Sequence, residues 1–221
     1  MDPKELIELV KGGAAVAGAF KLTDIIRAML GPATAEIAEQ FRDKARLYRY
    51  ERQLDCLKKA AQMAKDAGFT PMAVPIKLLF PLLEGALLEE SEDLHTMWAA
   101  LLANASSPED AEKVRPGFIA ILRQLSPEEA ALLNCIYKRT KVYGDIVSVA
   151  QLKQQNVFKT LDVSLDGLEA SQLVCSLRPH VAGLSGIGGD DLSLADERRF
   201  FGLTSRGGAF VEACRTPEPK R

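Results

Sequence analysis

Residues 91–125, SEDLHTMWAALLANASSPEDAEKVRPGFIAILRQL, constrain the fold of this chain most. Leu94, Met97, Trp98, Leu101 and Leu102 recur at i, i+3, i+4, i+7 and i+8, which is one apolar stripe on a helix. Ser91 stands where an N-cap belongs, and Glu92 and Asp93 fall where the helix dipole favours negative charge. Asn104, Ser106, Ser107 and Pro108 punctuate the chain. Pro116 then opens a second helix whose buried side is Phe118, Ile121, Leu122 and Leu125. Trp98, the only tryptophan, is expected inside the core, against a helix over 76–88.

Upstream, residues 1–32 form a segment with apolar ends and a small-residue centre. Leu6, Ile7, Leu9 and Val10 lead it, Ile25, Ile26, Met29 and Leu30 close it, and GGAAVAGAF lies between Lys11 and Lys21. Glycine inside a helix costs ~1 kcal/mol against alanine, so the centre is weak, and Gly31-Pro32 is a hinge. Two readings stay open. The small residues serve close helix packing or flexibility, or Ala14 and Gly18 provide small-x-x-x-small contacts between copies, with Lys11 and Lys21 near anionic headgroups. Residues 33–125 are the helical domain. A long helix over 33–67 carries alternating charges suited to a solvated face, and Gly68 ends it. Pro71, Pro75 and Pro81 chop the chain, and the dense apolar run 76–88 is expected to be the central buried helix.

Ser126-Pro127-Glu128-Glu129 is a compact helix start, with Leu132, Leu133, Ile136 and Tyr137 inward. It opens a subdomain over 126–215. Residues 145–149 read as a short strand or a helix start. Residues 164–177 read as a helix, 181–184 and 200–203 as strands around a glycine-rich loop, and 204–214 as a last helix with Phe210 and Val211 inward. Residues 216–221 are a charged tail expected to lack order. That order is winged-helix-like, and such modules often bind DNA. Charge argues against DNA here. Asp162, Asp166 and Glu169 lie on the candidate recognition helix, and residues 126–221 hold twelve basic and twelve acidic side chains. Phosphate contacts provide much of the affinity for DNA, and this surface offers few.

A formal charge of −2 over 221 residues leaves no global basic field. Cys56, Cys135, Cys175 and Cys214 are scattered without a C-x-x-C pair, so reduced thiols are expected rather than a zinc site. No apolar run reaches the roughly 18–20 residues of a membrane span. His95, beside Glu92 and Asp93, reads as a surface histidine rather than an acid–base catalyst. The glycine-rich residues 185–191 lack the ending of a phosphate loop. The acidic run Glu89, Glu90, Glu92 and Asp93 lacks calcium-loop spacing. No catalytic residue, cofactor or metal is assigned.

A resemblance adds to this reading. The segment W-A-x-L-L-A-N-A at 98–105, the proline-containing start of the next helix and its ending Leu125-Ser126-Pro127 resemble the bacterial Abi-alpha family, named for abortive infection. Residues 203–214, LTSRGGAFVEAC, resemble its closing element, and Pro71 to Leu88, with PIKLLFPLLEGALLEE, also fits. The resemblance spans 69–215. It implies a role in defence against phage and supplies no catalytic residue. The resulting expectation is a mostly α protein: an N-terminal helical bundle followed by a small winged-helix-like α+β subdomain. It is a cytoplasmic, non-enzymatic defence protein, peripheral to the inner membrane where residues 1–32 meet it. It works through a protein partner or its own copies, with a membrane surface as a further partner and nucleic acid disfavoured. The rivals are a winged-helix DNA-binding regulator and an enzyme with a site assembled from scattered acidic residues.

Overall fold

The computed structural model describes residues 29, 47–143, 146–154, 158–177 and 199–219. Among them are eight α-helices and one three-stranded antiparallel sheet, a mostly α fold with a small α+β part. The chain divides into two compact units, residues 1–124 with 213–221, and residues 125–212.

In the first unit α1 spans Leu47–Asp66. Gly68 stops it with a φ of +79°, and the amides of Gly68 and Phe69 return to the carbonyls of Lys65 and Ala64. Those two bonds satisfy carbonyls that the helix end leaves open. An extended stretch follows, in which Met72 N–H donates to the Ser106 carbonyl and Val74 N–H to that of Met29. Met29 is fully buried. Helix α2 (Ile76–Leu88) starts behind Pro75 and accommodates Pro81 in its interior. Helix α3 (Glu92–Ala105) starts at Ser91, whose hydroxyl accepts from Leu94 N–H. A 3-10 turn (Ala111–Lys113) leads to α4 (Pro116–Gln124).

The most enclosed helix is α3, not α2 as the apolar density of residues 76–88 suggests. Leu94, His95 and every residue of 98–105 are buried. Ala99, Ala100, Ala103 and Ala105 let neighbours approach α3 from several sides, since interaxial distance follows side-chain size. Helix α2 buries Leu79, Leu82, Leu83, Gly85 and Ala86 but leaves Ile76 and Leu88 exposed. One apolar stripe suffices to seat it.

In the second unit α5 (Pro127–Tyr143) begins with a reciprocal cap. Glu129 N–H donates to Ser126 Oγ, and Ser126 N–H to the Glu129 carboxylate. Strand β1 (Val147–Ser148) runs straight into α6 (Val149–Lys153), so the segment that reads as strand or helix start is both. Helix α7 spans Leu161–Ala170, β2 Val174–Leu177, β3 Phe200–Leu203 and α8 Ser205–Ala213. The sheet order is β1-β3-β2, with Val147 opposite Phe201 and Val174 opposite Leu203.

The helix expected to reach residue 177 ends at Ala170. Gln172 takes a φ of 58°, and the amides of Gln172 and Leu173 return to Glu169 and Leu168. This is the same termination as at Gly68, made without glycine, so the sequence does not announce it. A strand follows at once, and Val174 is buried in it as a strand residue rather than a helical one. The strand expected over 181–184 lies outside the described residues. Strand β3 and the inward Phe210 and Val211 stand where the sequence puts them.

Candidate functional site

Five polar side chains from two helices converge in the first unit. Arg52, Asp55 and Lys59 lie at i, i+3 and i+7 on α1, and Glu92 and His95 at i and i+3 on α3. Such spacings put each set on one helix face. Arg52 Nε and Nη2 donate to the Glu89 carbonyl at 3.0 and 2.6 Å, and its Nη1 pairs with the Glu92 carboxylate. The Lys59 ammonium reaches Asp55 at 2.9 Å, Glu92 at 2.9 Å and His95 Nδ1 at 3.3 Å. The other ring nitrogen of His95, Nε2, lies 3.0 Å from the Arg52 carbonyl.

That carbonyl can only accept, so Nε2 carries the hydrogen and Nδ1 is left to accept from Lys59. His95 is therefore neutral in this arrangement. Its removal from water is the main force holding its pKa below the usual imidazole value. The Arg52 carbonyl opposes this, the charges of Arg52 and Lys59 reinforce it, and Asp55 opposes it. Desolvation works against the Lys59 charge, but hydrogen bonds to Glu92 and Asp55 outweigh it and raise the pKa. Hydrogen bonds from Lys59 and then Arg52 hold the Glu92 carboxyl down at about 2. Burial pushes the Cys56 thiol up to about 12, with Asp55 adding to the effect and Lys59 and Arg52 opposing it.

Asp55, Glu92 and His95 offer ligand atoms that all lie within 4.8 Å of one another. Lys59 is the cation that the structure places among them, 2.9 Å from Asp55 and Glu92 and 3.3 Å from His95 Nδ1. A lysine held charged is no nucleophile, and a buried thiol with a raised pKa is no thiolate. As arranged, the cluster ties α1 to the start of α3.

The residues that carry the resemblance have packing and capping roles. Trp98 is buried with its six-membered ring over Gly85. Asn104, also buried, donates both amide hydrogens, to the Ala213 carbonyl at 2.8 Å and the Arg215 carbonyl at 2.9 Å. In the second unit Thr204 Oγ1 accepts from Gly207 N–H and donates to the carbonyls of Gln172 and Leu173. A Cβ on Gly207 would collide with the Leu173 carbonyl, so glycine is required there. Cys214 is buried, and burial raises its pKa.

Leu94, Trp98, Leu101, Leu102, Phe118, Ile121, Leu122 and Phe210 are all buried, while Met97 is only half-buried at the edge of the stripe. Lys11, Ala14, Gly18 and Lys21 lie outside the described residues. His95 is fully buried, not a surface histidine. The line His95, Ala99, Ala103 on α3 was the available sign, because two small residues at i+4 and i+8 mark a close helix. That helix is α1, which buries Ala60, Ala61 and Ala64. No disulfide joins Cys56, Cys135, Cys175 and Cys214. Among the described residues no helix is long and apolar enough to cross a membrane.

A family model described as "Abortive infection alpha" matches residues 49–177, more than half of the 221 residues. The closing element at 203–214 lies beyond the matched range. No curated protein and no solved structure matches the chain.

Proposed function

Because the chain belongs to the abortive infection alpha family, we propose that it serves in anti-phage defence through contacts with proteins, without catalysing a reaction. The observation that carries this reading is the use made of the motif's polar groups. Asn104 and Thr204 direct their hydrogen bonds at backbone carbonyls, where a catalytic pair would be aimed at a substrate. Residues 1–32 are the effector segment in this reading. Their lysines and small residues suit an anionic membrane surface or a second copy of the chain. The protein then works in the cytoplasm, peripheral to the inner membrane. Infection of cells expressing the full chain tests this. Phage yield per infected cell falls as infected cells die early, and an unchanged yield overturns the reading.

One observation favours a second reading. The second unit runs helix, strand, helix, helix, strand, strand, helix with sheet order β1-β3-β2, which supports a winged-helix reading, and such modules often bind DNA. Its α7 presents Asp162, Asp166 and Glu169 together with Val163, which is 73% exposed. Lys153 and Arg199 beside that helix pair with Asp162 and Asp166, so these bases are engaged within the module rather than offered to phosphates, and we assign the module to protein contact. Titration with duplex DNA at moderate salt decides between the two. Binding no tighter than the micromolar range of non-specific contacts supports protein contact. Nanomolar, sequence-dependent binding supports the regulator.

A further inference from the structure

His95 is the only imidazole among the described residues, and it sits inside a charge balance that a single proton upsets. The charged groups around it are Arg52, Asp55 and Lys59 on α1 and Glu92 on its own helix. Cys56 adds a buried thiol on α1, and Glu89, in the turn before α3, uses its carboxylate on Ser91 N–H. With neutral His95 two cations face two carboxylates. With a protonated ring three cations face the same two. Geometry makes the change worse than the count. Nδ1 accepts from Lys59 at 3.3 Å, and a protonated Nδ1 presents a hydrogen to an ammonium that also has only hydrogens to offer. The nearest anion to Nδ1, Asp55 at 3.6 Å, already holds Lys59 at 2.9 Å. A buried ring cannot turn to water for relief.

We infer that His95 is an acid sensor for the helical unit, and that its protonation opens the clasp between α1 and the start of α3. The closed form excludes the proton, and the open form takes it near the ordinary imidazole value of about 6.5. Each pH unit below that value favours the open form by up to about tenfold. Ordinary carboxylates titrate near pH 4.5 and lower, so among the described residues the window between is set by His95. The inference stands on the geometry of α1 and α3 and is independent of the defence reading.

Nuclear magnetic resonance of the imidazole nitrogens in the full chain tests it, with His180→Gln to assign the second of its two histidines. At pH 7 His95 is expected as the neutral Nε2–H form, with a midpoint below 6.5. Hydrogen exchange, corrected for its intrinsic pH dependence, then reads opening at the start of α3. It is expected to rise up to about fivefold from pH 6.5 to 5.5. His95→Gln is expected to abolish that rise, because glutamine can donate to the Arg52 carbonyl and accept from Lys59 but takes no proton. A His95 midpoint at or above 6.5, or the same rise in His95→Gln, overturns the inference. If His95→Gln does not fold, the midpoint in the unaltered chain decides alone.

Discussion

The six-membered ring of Trp98 occupies the space where a side chain at Gly85 would begin, so that a Cβ there would press on three ring carbons. The largest side chain of the core is thus matched to the one position in α2 that has none. Its indole Nε1 finds no acceptor among the described residues, so shape rather than hydrogen bonding fixes it.

Trp98→Ala is expected to cost about 3–5 kcal/mol, and Gly85→Ala about 1–3 kcal/mol by overpacking. The two effects should not add. In the Trp98→Ala background the methyl of Gly85→Ala enters vacated space, and its cost should vanish or reverse. Trp98→Phe should be the mildest of the Trp98 variants, since it keeps a ring and removes an unpaired N–H. Denaturant unfolding of the four-member cycle checks this. Strict additivity would mean that the two residues do not meet.

Asn104 joins parts of the chain 109 and 111 residues apart. Asn104→Ala leaves two carbonyls without their donor and is expected to cost about 1–3 kcal/mol. Asn104→Asp should be no better, because a carboxylate would face two acceptors. Limited proteolysis should cut beyond residue 213 sooner in both variants than in the unaltered chain. Equal cutting rates would remove the tie from the account.

Acid and alkali should weaken the Arg52–Lys59–Glu92 cluster from opposite ends. The folded pKa of Glu92 is lowered to about 2, so its contribution is present above 4.5 and lost as pH falls towards 2. The folded pKa of Lys59 is raised, so its contribution is complete below 10.5 and lost as pH climbs through the folded value. Glu92→Gln should flatten the acid limb of a plot of melting temperature against pH between 4.5 and 2. Glu92 is exposed, so the effect should shrink in high salt. An acid limb of unchanged slope would show that the ion pairs contribute nothing to stability.

Much of this fold is legible in the sequence because its punctuation is explicit. Ser91, Gly68, Pro116 and the pair Ser126–Glu129 mark the helix ends that their residue types announce. Gln172 shows the limit. It adopts a left-handed turn that glycine usually announces, so the strand behind it reads in the sequence as the end of a helix. The polar cluster was hidden for a different reason. His95 and Glu92 were visible on one helix, but their partners Arg52, Asp55 and Lys59 lie more than thirty residues away. Only the approach of α1 to α3 makes them one site. The small residues of both helices carry that approach, and small residues leave a faint signal in hydropathy.

The defence reading stands most directly on phage plating. Efficiency of plating is compared on cells carrying no copy, the full chain, or the chain without residues 1–31, with thermal melts showing that the truncated protein still folds. The full chain should lower plating by orders of magnitude, and the folded truncation should restore it. Plating unchanged by the full chain would contradict a role in defence, and equal protection by the truncation would contradict an effector role for the first 31 residues.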